Sequence, residues 1–380
     1  AYFKYFNFGA ESLNALLGAL GASTFSHWDV ILPIGISFYV FQSVSYLVDV
    51  HRGDVEAGER FVDVAAYIAL FPQLIAGPIV RYKVLGPQLA APTASFTDFG
   101  MGARRFMVGF CKKVLIADMV APLADAVFAA PTVGTAEAWL GVLAYAIQLF
   151  FDVSGYSDMA IGLARMMGLR LLENFDRPYI SATITEFWRR WHISLSRWLR
   201  DYLYIPLGGN RRGRQRTYVN LLTVMVLGGL WHGASWNFVL WGAWHGLLLV
   251  SERLLTESGF ALRLPRFIAV LRTFVFVLIG WVTFRAVDVL SALAMYEAMF
   301  TLQGEGVSAQ LLWQVPVTAF VGLVAGCVIA WFPLPAKRDE APARAPARFD
   351  LAGVALLPVF LLGVLRTVAD SFSPFLYFQF

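Results

Sequence analysis

Long apolar runs separated by short charged blocks organise this chain, and the run that the others are arranged around is 217–251, which contains no Asp, Glu, Lys or Arg. As one straight helix it would reach roughly 50 Å, well past a bilayer core of about 30 Å, so it must tilt, re-enter or break. Gly228, Gly229 and Gly233 mark the expected break, because glycine is most at ease where a membrane helix is interrupted and backbones approach closely. His232 sits at that break. An ionisable ring among so much apolar sequence is costly unless it lines a polar cavity, which makes it a candidate functional group; the alternative is a buried histidine satisfied by a neighbouring helix.

The remaining runs predict an all-α, polytopic bundle of about eight or nine spans. Residues 13–20 are apolar but too short to cross alone. The first full span is 28–48, where Pro33 and Gly35 predict a kink near the start and Asp49, His51 and Arg52 a water-facing end. In 61–79, Phe71-Pro72-Gln73 and Gly77-Pro78 argue for a re-entrant or broken segment. The next run, 106–128, is flanked by Arg81, Lys83, Arg104, Arg105, Lys112 and Lys113, which the positive-inside rule assigns to the cytoplasmic face. Residues 137–169 are apolar at both ends but carry Asp152, Ser154, Tyr156, Ser157 and Asp158 in the middle. Either these carboxylates face the protein interior or a water-filled cavity, or a loop at 153–155 divides two shorter helices. After residue 251, the runs 268–284, 313–332 and 350–368 read as ordinary spans, with a flexible polar stretch at 333–349 and an aromatic tail at 373–380. No internal repeat is evident.

A different pattern fills 183–201. Thr183 followed by Glu186 is a capping box that starts a helix. Apolar residues at 184, 187, 188, 191, 195, 198 and 199 make one helical face, with Arg189, Arg190, Arg197 and Arg200 mostly off it and His192 beside it. Such a helix is expected to lie in the membrane interface with its tryptophans at headgroup depth. The turn at 206–210 then leads into the basic block 211–216, read as a cytoplasmic loop.

Composition supports a membrane protein: 58% of the 380 residues are hydrophobic and 15% charged, where a soluble domain carries about a quarter charged. Mean hydropathy is +0.62. No alternating β-barrel pattern competes. The net charge of +4 and pI near 9.1 do not point to nucleic acid, because Lys and Arg fall in short blocks between apolar runs, where anionic headgroups meet them. Cys111 and Cys327 show no metal or redox spacing. The chain starts at Ala1 with no visible signal peptide, so further spans are expected to precede it.

The histidines stand at 27, 51, 192, 232 and 245. His27 and His51 fall at span edges and read as solvated or structural. On a straight helix His232 and His245 lie roughly 20 Å apart on nearly opposite faces, so only a break would let them share a site. His232, deeper in the uncharged run, is favoured for chemistry, and His245, nearer Glu252 and Arg253, for an interfacial role. A neutral imidazole can take a hydroxyl proton at neutral pH, as acyl transfer to an alcohol requires. Metal binding lacks a Cys partner or a His-Glu-x-x-His spacing. A serine triad lacks Gly-x-Ser-x-Gly, although pattern alone leaves Ser194, Ser196 and Ser235 open.

Residues 174–212 hold Asn-Phe-Asp-Arg-Pro-Tyr, Glu-Phe-Trp-Arg-Arg-Trp-His-Ile-Ser-Leu-Ser and Arg-Asp-Tyr-Leu-Tyr-Ile-Pro-Leu-Gly-Gly-Asn, and Gly-Leu-Trp-His-Gly-Ala-Ser-Trp-Asn follows at 229–237. Together with Phe71-Pro72-Gln73-Leu74-Ile75-Ala76-Gly77-Pro78-Ile79, these motifs resemble the membrane-bound O-acyltransferase family, and most closely its bacterial branch typified by the alginate O-acetyltransferase membrane subunit. The resemblance covers nearly the whole chain, taken as a single membrane domain over 1–380, and departs from the family only in the missing opening spans. It implies a multi-helix bundle around a transmembrane tunnel in a bacterial inner membrane. The invariant histidine of the family maps to His232 and its second polar position to His192. The resemblance also implies an acetyl group taken from acetyl-CoA or another cytoplasmic acyl thioester, with no bound cofactor or metal. The acceptor would be an extracytoplasmic polysaccharide such as alginate, reached through a separate extracytoplasmic acetyltransferase partner. Arg189, Arg190, Asp201, Trp231, Trp236 and Asn237 would position donor or substrate, the arginines by attracting an anionic donor; headgroup contact explains the arginines equally well.

Two alternatives remain open on the sequence. The same family chemistry would serve D-alanyl transfer to teichoic acid or acylation of peptidoglycan or cellulose. A transporter or polysaccharide-export component would use Asp152, Asp158 and His232 as a substrate or proton path, but the related halves expected of such a protein are not found.

Overall fold

The computed structural model describes residues 1–33, 35–74, 77–260, 264–304, 306–332 and 351–369, and every regular element among them is helical. The N-terminal part is a set of short helices: α1 (Tyr2–Ala19), α2 (Ile36–His51), α3 (Phe61–Ile68) and α4 (Tyr82–Ala90). The expected span at 28–48 is therefore shortened. Gly35 takes a left-handed φ of 76° and α2 begins only after it, a conformation that glycine adopts without strain. The expected interruption in 61–79 is present. A 3₁₀ turn at Phe71–Gln73 follows α3, and a Cβ on Gly77 would stand 2.4 Å from the Pro72 carbonyl oxygen, so the chain doubles back on itself there.

The centre is a pair of long crossing helices. α5 (Phe96–Lys112) continues through a π turn (Lys113–Ala117) into α6 (Asp118–Ala129), and α7 (Thr135–Met166) runs 32 residues without interruption, about 48 Å at 1.5 Å per residue. The alternative of a loop at 153–155 is thus excluded. Gly155 lies in mid-helix because α5 leaves no room for a side chain: a Cβ there would be 2.7 Å from the Gly109 carbonyl oxygen, and one on Gly109 would be 2.5 Å from that of Gly155. Gly102 and Gly162 repeat the arrangement one heptad away, each 2.6 Å from the other's carbonyl oxygen by the same measure.

The polar residues in mid-α7 turn inward and are neutralised from α5. Lys113 Nζ lies 2.7 Å from Asp152 and 2.6 Å from Asp118, while Lys112 and Arg105 both lie 2.6 Å from Asp158. Arg105 also reaches Glu173 at 2.6 Å. Lys112, Lys113 and Arg105 are therefore counter-ions to the carboxylates of α7; the Lys113 side chain is only 7% exposed, those of Lys112 and Arg105 about a quarter. Removing one member of such a pair leaves an uncompensated buried charge, which is why the two helices must stay in register.

The stretch expected to form one interfacial helix is divided. α8 (Ile184–Arg190) starts where predicted, with Thr183 Oγ1 accepting from the Glu186 amide at 3.0 Å and Glu186 Oε2 from the Ala182 amide at 2.8 Å. α9 (Ile193–Leu199) begins anew after His192, and a second π turn (Arg200–Tyr204) follows. The break is set from outside the segment: the Asn174 carbonyl accepts from the Ile193 amide at 2.9 Å, and its side-chain oxygen accepts from the amide and hydroxyl of Ser194 at 3.1 and 2.9 Å. Trp191 and Trp198 are buried against other parts of the protein.

The uncharged run 217–251 breaks as expected, but at 233–235. α10 (Arg214–His232) and α11 (Trp236–Glu257) form a hairpin. Gly228 and Gly229 stay helical, and Gly229 serves the close packing of the two helices, since a Cβ on it would meet the Phe238 carbonyl oxygen at 2.1 Å. Beyond the hairpin come α12 (Arg266–Arg285), α13 (Val289–Phe300), which the apolar pattern did not single out, then α14 (Ala309–Gln314), α15 (Val317–Trp331) and α16 (Leu351–Ala369). Val315-Pro316 splits the run expected as one span at 313–332, because proline cannot continue the helix. The stretch at 333–349 and the tail at 373–380 lie outside the described residues. Among those described, α7 and α12 are long and apolar enough to cross a membrane unaided, while α13, α15 and the 61–73 and 353–369 stretches are shorter apolar segments.

Gly155→Val should drive α5 and α7 apart and lower the apparent melting temperature in detergent by about 5 °C or more. Gly100→Ala, in the same helix α5 but with nothing within 4 Å of its Cβ, should leave the melting temperature unchanged or raise it slightly.

Candidate active site

His232 is the last residue of α10, about 27 Å along the helix axis from Arg214 at its basic start. It is 8% exposed. Its ring meets the edges of Trp231, Trp241 and Phe284 at centroid distances of 4.9, 5.2 and 5.2 Å. The remaining side faces a cavity of about 610 Å³ between α8–α9 and the α10–α11 hairpin. On α10 the lining residues are Leu221, Val224, Met225, Gly228 and His232, spaced three and four apart and so forming one face. On α11 they run from Trp241 to Glu257, about 24 Å of helix.

The two ends of this cavity differ. His232, Gly228 and Trp241, with Leu195 and Leu199 beside them, line the end next to the turn of the hairpin; Glu252, Arg253 and Glu257 line the end toward the last turns of α11, and Arg189 and Arg200 add two more charges to the wall. Glu252 accepts from the amides of Ile184 and Thr185 at 2.7 and 3.3 Å, meeting the free N–H groups at the start of α8. Glu257 pairs with Arg253 at 2.7 Å and accepts from Tyr218 at 2.8 Å. The result is a largely apolar passage with one imidazole next to the hairpin turn and charged groups along its wall.

His192 occupies the break between α8 and α9 in a left-handed conformation, φ 43°, which is unusual for a residue with a side chain. Its ring is buried, 6.2 Å from Trp231, and its Nδ1 finds no hydrogen-bond partner among the described residues. The indole of Trp231 thus touches both imidazoles, and His192 is not among the residues lining the cavity.

His245 is not interfacial. The hairpin folds α11 back against α10 and buries the ring completely, 5.1 Å from Trp188 and 5.0 Å from Trp241, with neither ring nitrogen hydrogen-bonded among the described residues. Because the run breaks, Trp241 touches both His232 and His245, so the separation expected on a straight helix does not apply.

Of the residues expected to position donor or substrate, Arg189 lines the cavity and the others do not; Ser196, left open as a nucleophile by its pattern, lines it as well. Arg190 is engaged with Glu186 at 3.0 Å and Asp176 at 3.4 Å. Asp201 pairs with Arg81 and, at 2.6 Å, with Arg200. Burial opposes its charge, but these two guanidinium groups outweigh burial and hold the carboxyl below its usual range. Trp236 is 55% exposed and donates to Ser12 Oγ at 3.2 Å, while Asn237 is buried and donates to the Ala286 carbonyl at 2.7 Å, tying α11 to α12. Sequence reasoning passed over Trp241 and Leu221 on the cavity wall and treated Glu252 and Arg253 only as a span edge. Leu221 lies on the same face of α10 as His232, which was a usable signal; the α11 residues stand beyond the break and share no helical register with it. Among the described residues no cluster of His, Cys, Asp and Glu is arranged to hold a metal.

The model of the membrane-bound O-acyltransferase family matches residues 21–292, which include the cavity and both histidines beside Trp231. The chain belongs to that family. It is therefore a membrane protein and an O-acyltransferase. Among relatives, a probable alginate O-acetylase of Azotobacter vinelandii is 48% identical over all of this chain and 82% of its own length. A peptidoglycan O-acetyltransferase of Helicobacter pylori is 38% identical over 80% of this chain and 62% of its own. A teichoic acid D-alanyltransferase of Bacillus subtilis is 29% identical over 58% and 59%.

Because both nitrogens of His245 lack hydrogen-bond partners among the described residues, an aliphatic side chain of similar size should replace it at little cost. His245→Leu in this O-acyltransferase is expected to keep the melting temperature within about 3 °C of the parent and at least about half of its turnover.

Proposed function

We propose that this O-acyltransferase takes an acetyl group from a cytoplasmic thioester, acetyl-CoA or an acyl carrier, and passes it across a bacterial inner membrane for O-acetylation of an extracytoplasmic polysaccharide, alginate in the first instance. The single observation that carries the reading is that His232 lines a largely apolar cavity whose wall also carries Arg189, Arg200 and Arg253. A cavity of about 610 Å³ falls within the usual range for small-ligand pockets, about 300–1,000 Å³. The apolar walls suit the acyl-bearing arm of the donor, and Arg189, Arg200 and Arg253 suit its anionic end. The basic block 211–216 lies at the same end as the mouth, at the start of α10, which supports entry from the cytoplasm.

In this reading residues 1–380 form one multi-pass membrane domain, in which 183–216 supplies the mouth and 217–251 the reacting histidine. The neutral imidazole of His232 takes the proton of the acceptor hydroxyl. The oxygen attacks the thioester carbonyl, the C–S bond breaks, and the thiolate leaves with a proton. His192, held in a strained backbone conformation on the other side of Trp231, relays that proton or orients the acceptor; strain of this kind clusters at functional positions. Trp231 keeps the two rings apart, and Arg190, Asp201, Trp236 and Asn237 hold the surrounding elements in place and make no contact with donor. The acceptor arrives through a separate extracytoplasmic acetyltransferase. Alginate is favoured as the polymer because relatives 47–48% identical over the whole of this chain carry that name.

His232→Ala should lower release of free thiol from acetyl-CoA by at least about 100-fold and abolish polymer acetylation in cells at normal protein levels; unchanged acetylation would remove His232 from the mechanism. Arg189→Ala should raise KM for acetyl-CoA by about tenfold with kcat little changed, since it removes a contact made equally in ground and transition states.

A further inference from the structure

α10 ends inside the protein, and side chains from α1 meet the carbonyl groups of its last turn. Tyr5 donates to the Leu230 carbonyl at 3.1 Å, and Lys4 Nζ donates to the Trp231 carbonyl and, at 3.4 Å, to that of His232. Two adjacent residues thus serve three consecutive carbonyls that the helix itself leaves without a partner. The same ammonium donates to Ser37 Oγ on α2 at 3.1 Å and lies 5.9 Å from the centroid of the Trp231 ring. Trp231 Nε1 in turn donates to the Ser37 carbonyl at 3.4 Å.

A cation at a helix C-terminus is favoured by the helix dipole, and here it is also braced by a second helix. The far side of the interruption is tied to α1 as well, through Trp236 and Ser12 at 3.2 Å and the packing of Phe8 on Trp236 at 5.5 Å. Lys4 does not line the cavity, so it has no access to the donor from there; what it reaches is the backbone of the residue that carries the imidazole.

We propose that Lys4 is a positioning residue for acyl transfer, fixing the last turn of α10 between α1 and Ser37 and thereby holding the His232 ring in line with the end of the passage. The inference rests on the assignment of His232 as the reacting base. A positioning role predicts a loss in turnover with donor binding preserved, because the passage itself is untouched.

The full chain in detergent, assayed for thiol release from acetyl-CoA, tests this. Lys4→Met should lower kcat by about tenfold or more while KM for acetyl-CoA stays within about twofold, since a small misplacement of a reacting group is enough to cost that much. Lys4→Arg, which keeps a cation at the same carbonyls, should recover at least about half of the parental turnover. Ser37→Ala, which removes only the brace, should lower kcat by about threefold or more and remains informative if Lys4→Met does not accumulate. Turnover within about twofold of the parent in both Lys4→Met and Ser37→Ala, or no rescue by Lys4→Arg, overturns the proposal. His232→Ala run in parallel separates the two failures: if it is inactive while Lys4→Met is fully active, the positioning role alone is lost, whereas an active His232→Ala overturns both.

Discussion

A helix that stops within an apolar environment leaves its last carbonyl groups facing a medium that offers no donors, and in a membrane protein that demand cannot be met by water. The arrangement around α10 follows from meeting it. The helix stops at His232 because Gly233 begins an extended stretch. The carbonyls exposed by stopping call for donors, which come from Lys4 and Tyr5. The reversal brings α11 back along α10 with Gly229 and Gly242 at the crossing, where the backbones are too close for side chains. One interruption therefore buries His245, wedges Trp241 between two imidazoles and leaves His232 facing a passage.

The remainder of the fold holds that passage steady. α5 and α7 are locked by two kinds of contact that reinforce each other. The glycine pairs let the helices approach, and the approach shortens the reach from Lys112, Lys113 and Arg105 to Asp152 and Asp158. Apolar substitution at a buried ion pair is often tolerated, but loss of one partner is not. The π turn at Lys113–Ala117 falls in the same place, so the widened turn and the buried ammonium share one site.

How much of this was legible in the sequence depends on whether the cause was local. The break near His232, the helix start at Thr183 and the broken character of 61–79 were readable because glycine, proline and capping residues act on their own backbone. The division of 183–201 at His192 was not, because its cause is Asn174, outside the segment and invisible to its periodicity. The intact α7 was left undecided for the same reason: the groups that neutralise its carboxylates belong to α5 and its π turn. Lys4 shows the limit most clearly. It is the one Lys or Arg in 1–27, with nothing local to mark it, and the carbonyl groups it meets on α10 lie some 227 positions later in the chain. For the site itself, residue type and depth pointed to His232, whereas the positions of Arg190, Asp201, Trp236 and Asn237 away from the cavity emerged only with the tertiary contacts.

Glu252 carries a mechanical implication. One carboxylate on the wall of the passage grips the first two amides of α8, the short helix that bears Arg189 and leads into His192. Wall and rim are therefore coupled like a door frame pinned to its lintel. The start of α8 cannot shift without carrying that part of α11 along or breaking both bonds.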